Sequence, residues 1–420
     1  MIERYLNPEI NSIWDDQNKF DTWKLVQEKY VETLEELDVA ENGIAKKINQ
    51  SVVQKDEVYK QEEITNHDLA SFVDILQKKV GEGSNWIHYG LTSSDIVDTA
   101  NSVLIMQSLD YVKGLVNDLL STLQEKAVQE KDTSIIGRTH GVYAEETFLG
   151  NIFGNWHLEV ARGLNRLENS KNNISFGKLS GPVGNHSVVT SEMEKLTLEK
   201  LNLQPEQFAN QIVSRDRYAE VVSSLGILAS TYERIATNIR SYQRSEISEM
   251  YESFKDGQKG SSAMPHKKNP IGSERITGLA RIMRSYVSTS LENMVLWNER
   301  DISNSSVERI MLPDAFHLIS FMSIELNSIL KHLVINYEQI NINLEDAKNK
   351  SVSQKYLSYL VNNGVDRDTA YRKIQEEIFN NLSAEELKKE LEKEFKLEFP
   401  DLENQVKKNV DEKTFKDKFK

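Results

Sequence analysis

Tyr218-Ala219-Glu220-Val221-Val222-Ser223-Ser224-Leu225-Gly226-Ile227-Leu228-Ala229-Ser230-Thr231-Tyr232-Glu233-Arg234-Ile235-Ala236-Thr237-Asn238-Ile239-Arg240-Ser241-Tyr242 places apolar residues at Tyr218, Val221, Leu225, Leu228, Tyr232, Ile235, Ile239 and Tyr242. The steps alternate three and four without a break, so these side chains fall along one seam of an α-helix. A seam at this spacing packs against similar helices in the coiled-coil manner. Further out, Ile96, Ala100, Val103, Val112, Val116, Leu119 and Leu123 outline a second long helix. It starts behind Thr92 and Asp95, which stand at capping-box spacing. Only seven prolines occur, none between Pro8 and Pro182. Proline inside a helix costs about 3 kcal/mol, so this distribution itself predicts a largely helical chain. Strand-like alternation is scarce apart from a short turn-rich piece around Phe176 to Gly184. The expected fold is all-α, in three successive regions. Residues 1–92 mix short helices and loops, 93–341 form a long-helix bundle, and 342–420 make a smaller, charged helical domain.

With 420 residues, the chain is long enough to bury a large core. No stretch approaches the ~20 apolar residues that span a bilayer. Met1-Ile2-Glu3-Arg4-Tyr5 lacks the basic and apolar regions of a secretory signal. The absence of cysteine excludes disulfides, a thiol nucleophile and thiolate metal sites, and fits a cytoplasmic, reducing setting. A net charge of −14 argues against nucleic-acid or membrane-surface partners. A small anionic substrate remains compatible, provided that it meets a local concentration of arginine and lysine.

Three segments concentrate polar groups. In Gly260-Ser261-Ser262-Ala263-Met264-Pro265-His266-Lys267-Lys268-Asn269-Pro270, a glycine-serine start makes a mobile loop, and the prolines stiffen its exit. Hydroxyls at the tip of a closing loop and cations at its base suit proton abstraction beside a carboxylate. His88-Tyr89-Gly90-Leu91-Thr92-Ser93-Ser94-Asp95 sets two hydroxyls at a helix N-terminus, where free N–H groups favour an anion. Plain capping by Thr92 explains that segment equally well. Gly137-Arg138-Thr139-His140-Gly141 puts an imidazole between a cation and a glycine, just before another helix. That group suits general acid work near neutral pH, or a purely structural role. A helix from Ser94 to about Ala127 is roughly 50 Å long. Thr92 and His140 lie beyond its opposite ends, so if both touch one small substrate, the expectation is an active site shared between subunits of a homo-oligomer.

Thr92-Ser93-Ser94-Asp95, Arg138-Thr139-His140-Gly141 and Ser261 to Pro270 resemble the three signature segments of the fumarase/aspartase superfamily. Order and spacing match over essentially the whole chain, most closely in the branch that acts on succinyl purine nucleotides. The resemblance implies a homotetramer whose active sites each draw on three subunits, and a β-elimination that releases fumarate without cofactor or metal. It casts Ser261 as general base and His140 as general acid, with Glu274 orienting His140. Lys267 and Asn269 hold the succinyl carboxylates, and Lys267 and Glu274, seven residues apart, are expected two turns along one helix. Thr92, Ser93 and Gln211 match further succinyl contacts, while Ser262, Lys268 and Arg275 join the substrate contacts around the loop. Asn66, His67, Asp68 and His88 match the surroundings of the nucleotide. Its phosphate falls to Arg4 and Tyr5, and to the segment containing Arg300, Ser305, Ser306 and Arg309.

Some positions depart from the family pattern. Glu146 stands where proline is frequent, Arg275 where asparagine is frequent, and Asn304 where histidine is common. His157, His186, His317 and His332 match no motif and read as structural. Among sister enzymes, argininosuccinate lyases usually carry glutamine at the place of His266, and fumarases and aspartases glycine. Carboxymuconate cycloisomerases also show Pro-His-Lys and form the alternative enzyme reading, but they need no group for a 5′-phosphate. A catalytically silent, crystallin-like structural protein is the alternative of a different class. It has no use for His140, Ser261, Lys267 and Glu274 together.

Overall fold

The computed structural model describes residues 1–254, 257–380, 382–400 and 412–419. Short helices lead: α1 (Pro8–Trp14), α2 (Asp16–Glu36), α3 (Ile44–Gln50), α4 (Lys55–Thr65) and α5 (Asp68–Val80). Next, α6 (Ser93–Gln129) runs unbroken for 37 residues, about 55 Å at 1.5 Å per residue. Strands β1 (Ser134–Thr139) and β2 (Val142–Phe148) precede α7 (Leu149–Ile174), β3 (Phe176–Gly177), α8 (Ser191–Lys200) and β4 (Gln204–Pro205). Three long helices follow, α9 (Arg215–Tyr242), α10 (Ile271–Glu292) and α11 (Ser303–Lys331), with β5 (Met250–Tyr251) before α10 and β6 (Val334–Ile335) after α11. The chain closes with α12 (Tyr337–Ser351), α13 (Ser353–Asn362), α14 (Arg367–Phe379), α15 (Ala384–Phe395) and α16 (Glu412–Asp417). The fold is all-α. No described helix is long and apolar enough to cross a membrane.

The α9 seam is buried as its spacing requires, with Val221, Leu225, Leu228, Tyr232, Ile235 and Ile239 fully enclosed. On α6, Ile96, Ala100, Val112, Val116, Leu119 and Leu123 are likewise enclosed. Compactness groups the chain into two units drawn from interleaved segments. These units gather residues by proximity, whereas the division at 92/93 and 341/342 follows chain order, and its second boundary falls inside α12.

The first unit comprises Met1–Asn117, Arg162–Glu233 and Ile276–Glu325. Its core joins the short N-terminal helices to the start of α6 around Phe20, Trp23 and Phe72. Trp23 meets the edges of Phe20 and Phe72 at centroid distances of 5.2 and 5.6 Å. Each such pair contributes about 0.5–1.5 kcal/mol beyond its buried area. Pro313 lies inside α11, against the expectation that helix interiors exclude proline. It removes the N–H that would otherwise bond the carbonyl of Arg309.

The second unit comprises Asp118–Ala161, Arg234–Arg275 and Leu326–Lys420. It contains a feature that the sequence reading did not anticipate, the antiparallel β1–β2 hairpin, which packs against α12. His140 therefore sits at a hairpin tip rather than just before a helix. Both turn residues have positive φ, 55° at His140 and 80° at Gly141, as a two-residue hairpin turn matching strand twist requires. A register irregularity falls at Gly137, where any Cβ would lie 2.8 Å from the Glu145 carbonyl oxygen. Around Phe176 the expected strand piece is present, as β3 pairing in parallel with β4 in the first unit.

Candidate active site

The first unit brings eight of the expected site residues around one pocket of about 290 Å³: His67, Asp68, Thr92, Ser93, Gln211, Arg300, Ser305 and Arg309. Three helix starts and the segment before α9, which carries Gln211, supply it. His67 caps α5, its Nδ1 accepting from the Ala70 N–H, and its Nε2 lies 3.4 Å from Ser93 Oγ. Thr92 and Ser93 stand where α6 begins, and half of the expected capping box is present, the Thr92 N–H donating to Asp95 Oδ2 at 2.8 Å. The first turns of α11 and the segment before it contribute Arg300, Ser305 and Arg309. Arg300 donates to Asn304 Oδ1 at 3.1 Å and to Gln211 Oε1 at 3.3 Å. Arg309 donates to the Asp68 carboxylate. Burial raises the Asp68 pKa, but Arg309, the Leu69 N–H and Lys19 together outweigh it and leave the carboxyl below its ordinary value. A pocket with two guanidinium groups, hydroxyls and a helix N-terminus suits a ligand carrying several anionic oxygens.

Beneath this pocket lie charges that the sequence reading overlooked. Asp95 and Lys178 form a fully buried pair, and Lys178 also donates to the Gly181 carbonyl at 2.8 Å. Burial pushes the Asp95 carboxyl upward, with Lys178 and the Thr92 and Gly181 N–H groups opposing it. This pair ties the start of α6 to the segment after β3. Beside it, Arg215 at the head of α9 forks onto Asp98 of α6 and Glu308 of α11. Burial would lower the Arg215 pKa, yet its two carboxylates hold it well above the ordinary value. A sequence signal existed: Asp95 and Asp98 flank Ile96 on the inward face of a helix, and charges there demand buried partners.

The second unit carries eight further expected groups on two segments. His140 is exposed at its hairpin tip, and the strand below is anchored by Arg138. That guanidinium forks onto the buried Glu249 with two bonds of 2.8 Å. Glu249 also accepts from Asn343 of α12 at 2.8 Å. The 257–270 segment is an irregular loop, with Ser261 half-buried and Ser262, His266, Lys267 and Lys268 exposed. Ser261 Oγ accepts from the N–H groups of Met264 and Ala263, at 3.0 and 3.2 Å. Asn269 Nδ2 closes the loop base on the Gly260 carbonyl at 2.8 Å. Only glycine fits at 260, because a Cβ there would lie 2.1 Å from the Lys267 carbonyl oxygen.

One expectation needs correction. Lys267 and Glu274 do not share a helix, since α10 begins at Ile271 and Lys267 remains in the loop. Proline at 270 disfavours helical backbone at Asn269, which favours a helix start just behind it. Glu274 and Arg275 lie in the first turn of α10, whose N–H groups at Gly272 and Ser273 are capped by the Glu252 carboxylate at 3.1 and 2.7 Å. Five other expected contacts stand outside the pocket lining in the first unit. Arg4 and Tyr5 form a 3-10 turn, with Tyr5 edge-on to Phe321. Asn66 ends α4 in left-handed conformation, and His88 is bonded to Gln27 of α2. Ser306 Oγ donates to the Ser303 carbonyl at 3.4 Å. Of the histidines read as structural, His317 accepts from the Asn7 N–H at 3.0 Å and His186 meets Glu194 at 3.0 Å. Among the described residues, no cluster of three histidine or carboxylate side chains could hold a metal.

A family model described as lyase matches residues 19–283. Adenylosuccinate lyase of Thermotoga maritima is 41% identical over 386 residues, spanning 92% of this chain and 90% of its own. Adenylosuccinate lyase of Bacillus subtilis is 40% identical over 376 residues, with 89% and 87% covered. A fumarate lyase from Mesorhizobium sp. BNC1 superposes with a TM-score of 0.84 at 19% identity, covering 100% of this chain and 95% of that one. The 3-carboxy-cis,cis-muconate lactonizing enzyme of Pseudomonas putida gives 0.82 at 20% identity, with 93% and 91% covered. At such identities these two structures speak for the fold alone. Seamed helices, signature segments and full-length relatives agree: the chain is a lyase and belongs to the adenylosuccinate lyase family.

Proposed function

We propose that this protein cleaves adenylosuccinate to AMP and fumarate, and the succinylated aminoimidazole carboxamide ribotide to its free carboxamide and fumarate, in purine nucleotide biosynthesis. The observation that carries the reading is the pocket at the head of α6, where Thr92, Ser93, Gln211, Arg300 and Arg309 line one cavity. A phosphate and two carboxylates give such a substrate the anionic oxygens that these groups bind. Arg300, Ser305 and Arg309 take the phosphate, with Arg4, Tyr5 and Ser306 close to it. His67, Asp68, Asn66 and His88 surround the nucleoside, and Arg275 adds a contact. Thr92, Ser93 and Gln211 take one end of the succinyl group.

Chemistry falls to residues of the second unit. Ser261 removes the proton beside a succinyl carboxylate, the resulting electron pair forms the double bond of fumarate, and the C–N bond breaks. His140 protonates the departing nitrogen, oriented by Glu274. A serine hydroxyl is a weak base, and the two N–H groups pointing at Ser261 Oγ favour its deprotonated form. Lys267, Asn269, Lys268 and Ser262 stabilise the charge that builds on the carboxylate. No cofactor is required. We place the reaction in a cytoplasmic homotetramer with active sites shared between subunits, because Thr92 and the His140 hairpin lie beyond opposite ends of α6. The division into regions 1–92, 93–341 and 342–420 is kept as part of this proposal. Incubation of the purified protein with adenylosuccinate should release fumarate and AMP in equal amounts. No fumarate from either succinyl nucleotide would overturn the reading.

A further inference from the structure

Asn304 bridges two groups of fixed polarity. The Arg300 Nε can only donate, and it reaches Asn304 Oδ1 at 3.1 Å. A Glu308 carboxylate oxygen accepts from Asn304 Nδ2 at 3.1 Å. The amide orientation is therefore set by chemistry, oxygen toward the guanidinium and nitrogen toward the carboxylate. Asn304 is 1% exposed, so both bonds are shielded from water. Glu308 is itself immobilised, accepting from Arg215 Nε and Asn293 Nδ2 at 2.8 and 3.0 Å. Arg215 in turn forks onto Asp98 of α6. A series of fixed bonds thus runs from the buried helices to the half-buried Arg300, whose second restraint is Gln211.

We infer that Asn304 is a positioning residue, aiming Arg300 at the substrate phosphate and setting the preference for nucleotide over nucleoside. The inference rests on the proposed assignment of Arg300 to the phosphate. An arginine side chain loses several torsional freedoms when it binds, and one already held at Nε loses fewer. Only a group with an acceptor on one side and a donor on the other fits between Arg300 and Glu308. Aspartate would set a carboxylate against Glu308. Leucine would leave Arg300 held by Gln211 alone and take one of its donors from Glu308.

The test compares adenylosuccinate with succinyladenosine, which lacks the 5′-phosphate, in the wild type, Asn304→Leu and Asn304→Ala. The alanine variant, which also has neither donor nor acceptor, secures the result if leucine prevents folding. In a folded variant, KM for the nucleotide should rise about tenfold with kcat within about twofold. Turnover of succinyladenosine should stay unchanged, because it presents nothing for Arg300 to hold. Equal losses on both substrates, or no loss on either, would overturn the inference while leaving the lyase reading intact. A wild type that cleaves both compounds equally well would overturn it through the phosphate assignment. Failure of the wild type to cleave either compound would overturn it together with the proposed function.

Discussion

His88 shows how a single residue couples position to protonation. Its backbone N–H donates to Gln27 Oε1 at 3.0 Å, which leaves the Gln27 amide nitrogen facing His88 Nδ1 at 3.0 Å. Nδ1 must then accept, and the ring is neutral. Burial, reinforced by His67, pushes its pKa down to about 4. Between pH 6.5 and 4 the unfolded chain takes up a proton that the native state refuses. Stability is therefore intact above about pH 6.5 and falls as pH drops toward 4, by up to about 3 kcal/mol. The thermal midpoint of His88→Asn, a residue that tolerates the observed φ of 63°, should depend less on pH across this window. Equal slopes for the two proteins would show that His88 does not carry the effect. At the same scale, Ser261→Ala and His140→Ala should each bind substrate yet lose turnover by ~10²-fold or more. Near-native turnover in either variant would remove that residue from its role. The motif residues were legible because their chemistry is local. Lys178, Glu249 and Glu252 were not, because each acts on a residue far away in sequence, at Asp95, Arg138 and Gly272.

Among the elements, the 257–270 loop and the β1–β2 hairpin contrast in how they are held. The loop is pinched where Gly260 meets Lys267, with Asn269 closing its base. Gly260→Ala should force the Lys267 backbone aside and cut turnover at least tenfold, while the thermal midpoint moves little, since the loop contributes little core. A variant with unaltered kcat/KM would show that the pinch does not set the geometry of Ser261. The hairpin depends on a His140-Gly141 turn with positive φ at both positions. Asparagine-glycine would have announced such a turn, whereas histidine-glycine did not. The extra residue of β2 opposite Gly137 further breaks the period-two alternation that betrays strands. Long helices were legible for the opposite reason, since seven apolar steps on α9 repeat one signal that no other structure accommodates.

For the whole molecule, the length of α6 is the ground for the proposed sharing of active sites between subunits. Thr92 precedes a helix about 55 Å long, and the His140 hairpin follows it. Under the proposed function, one small substrate that meets both lies between subunits. Ser261→Ala and His140→Ala chains, each inactive alone, should regain part of the wild-type activity when mixed under conditions that exchange subunits. A complete lack of recovery in assembled, mixed oligomers would rule out shared sites. By itself the sequence determined the helical class, the seams and the three motif segments, because periodicity and local chemistry are written in neighbouring residues. Only the tertiary structure decided that Arg215 would fork onto Asp98 and Glu308, that Lys178 would be buried against Asp95, and that Asn304 would stand between Arg300 and Glu308. A charge buried on one helix must find its counter-charge in space, and no spacing along the chain says which helix will bring it.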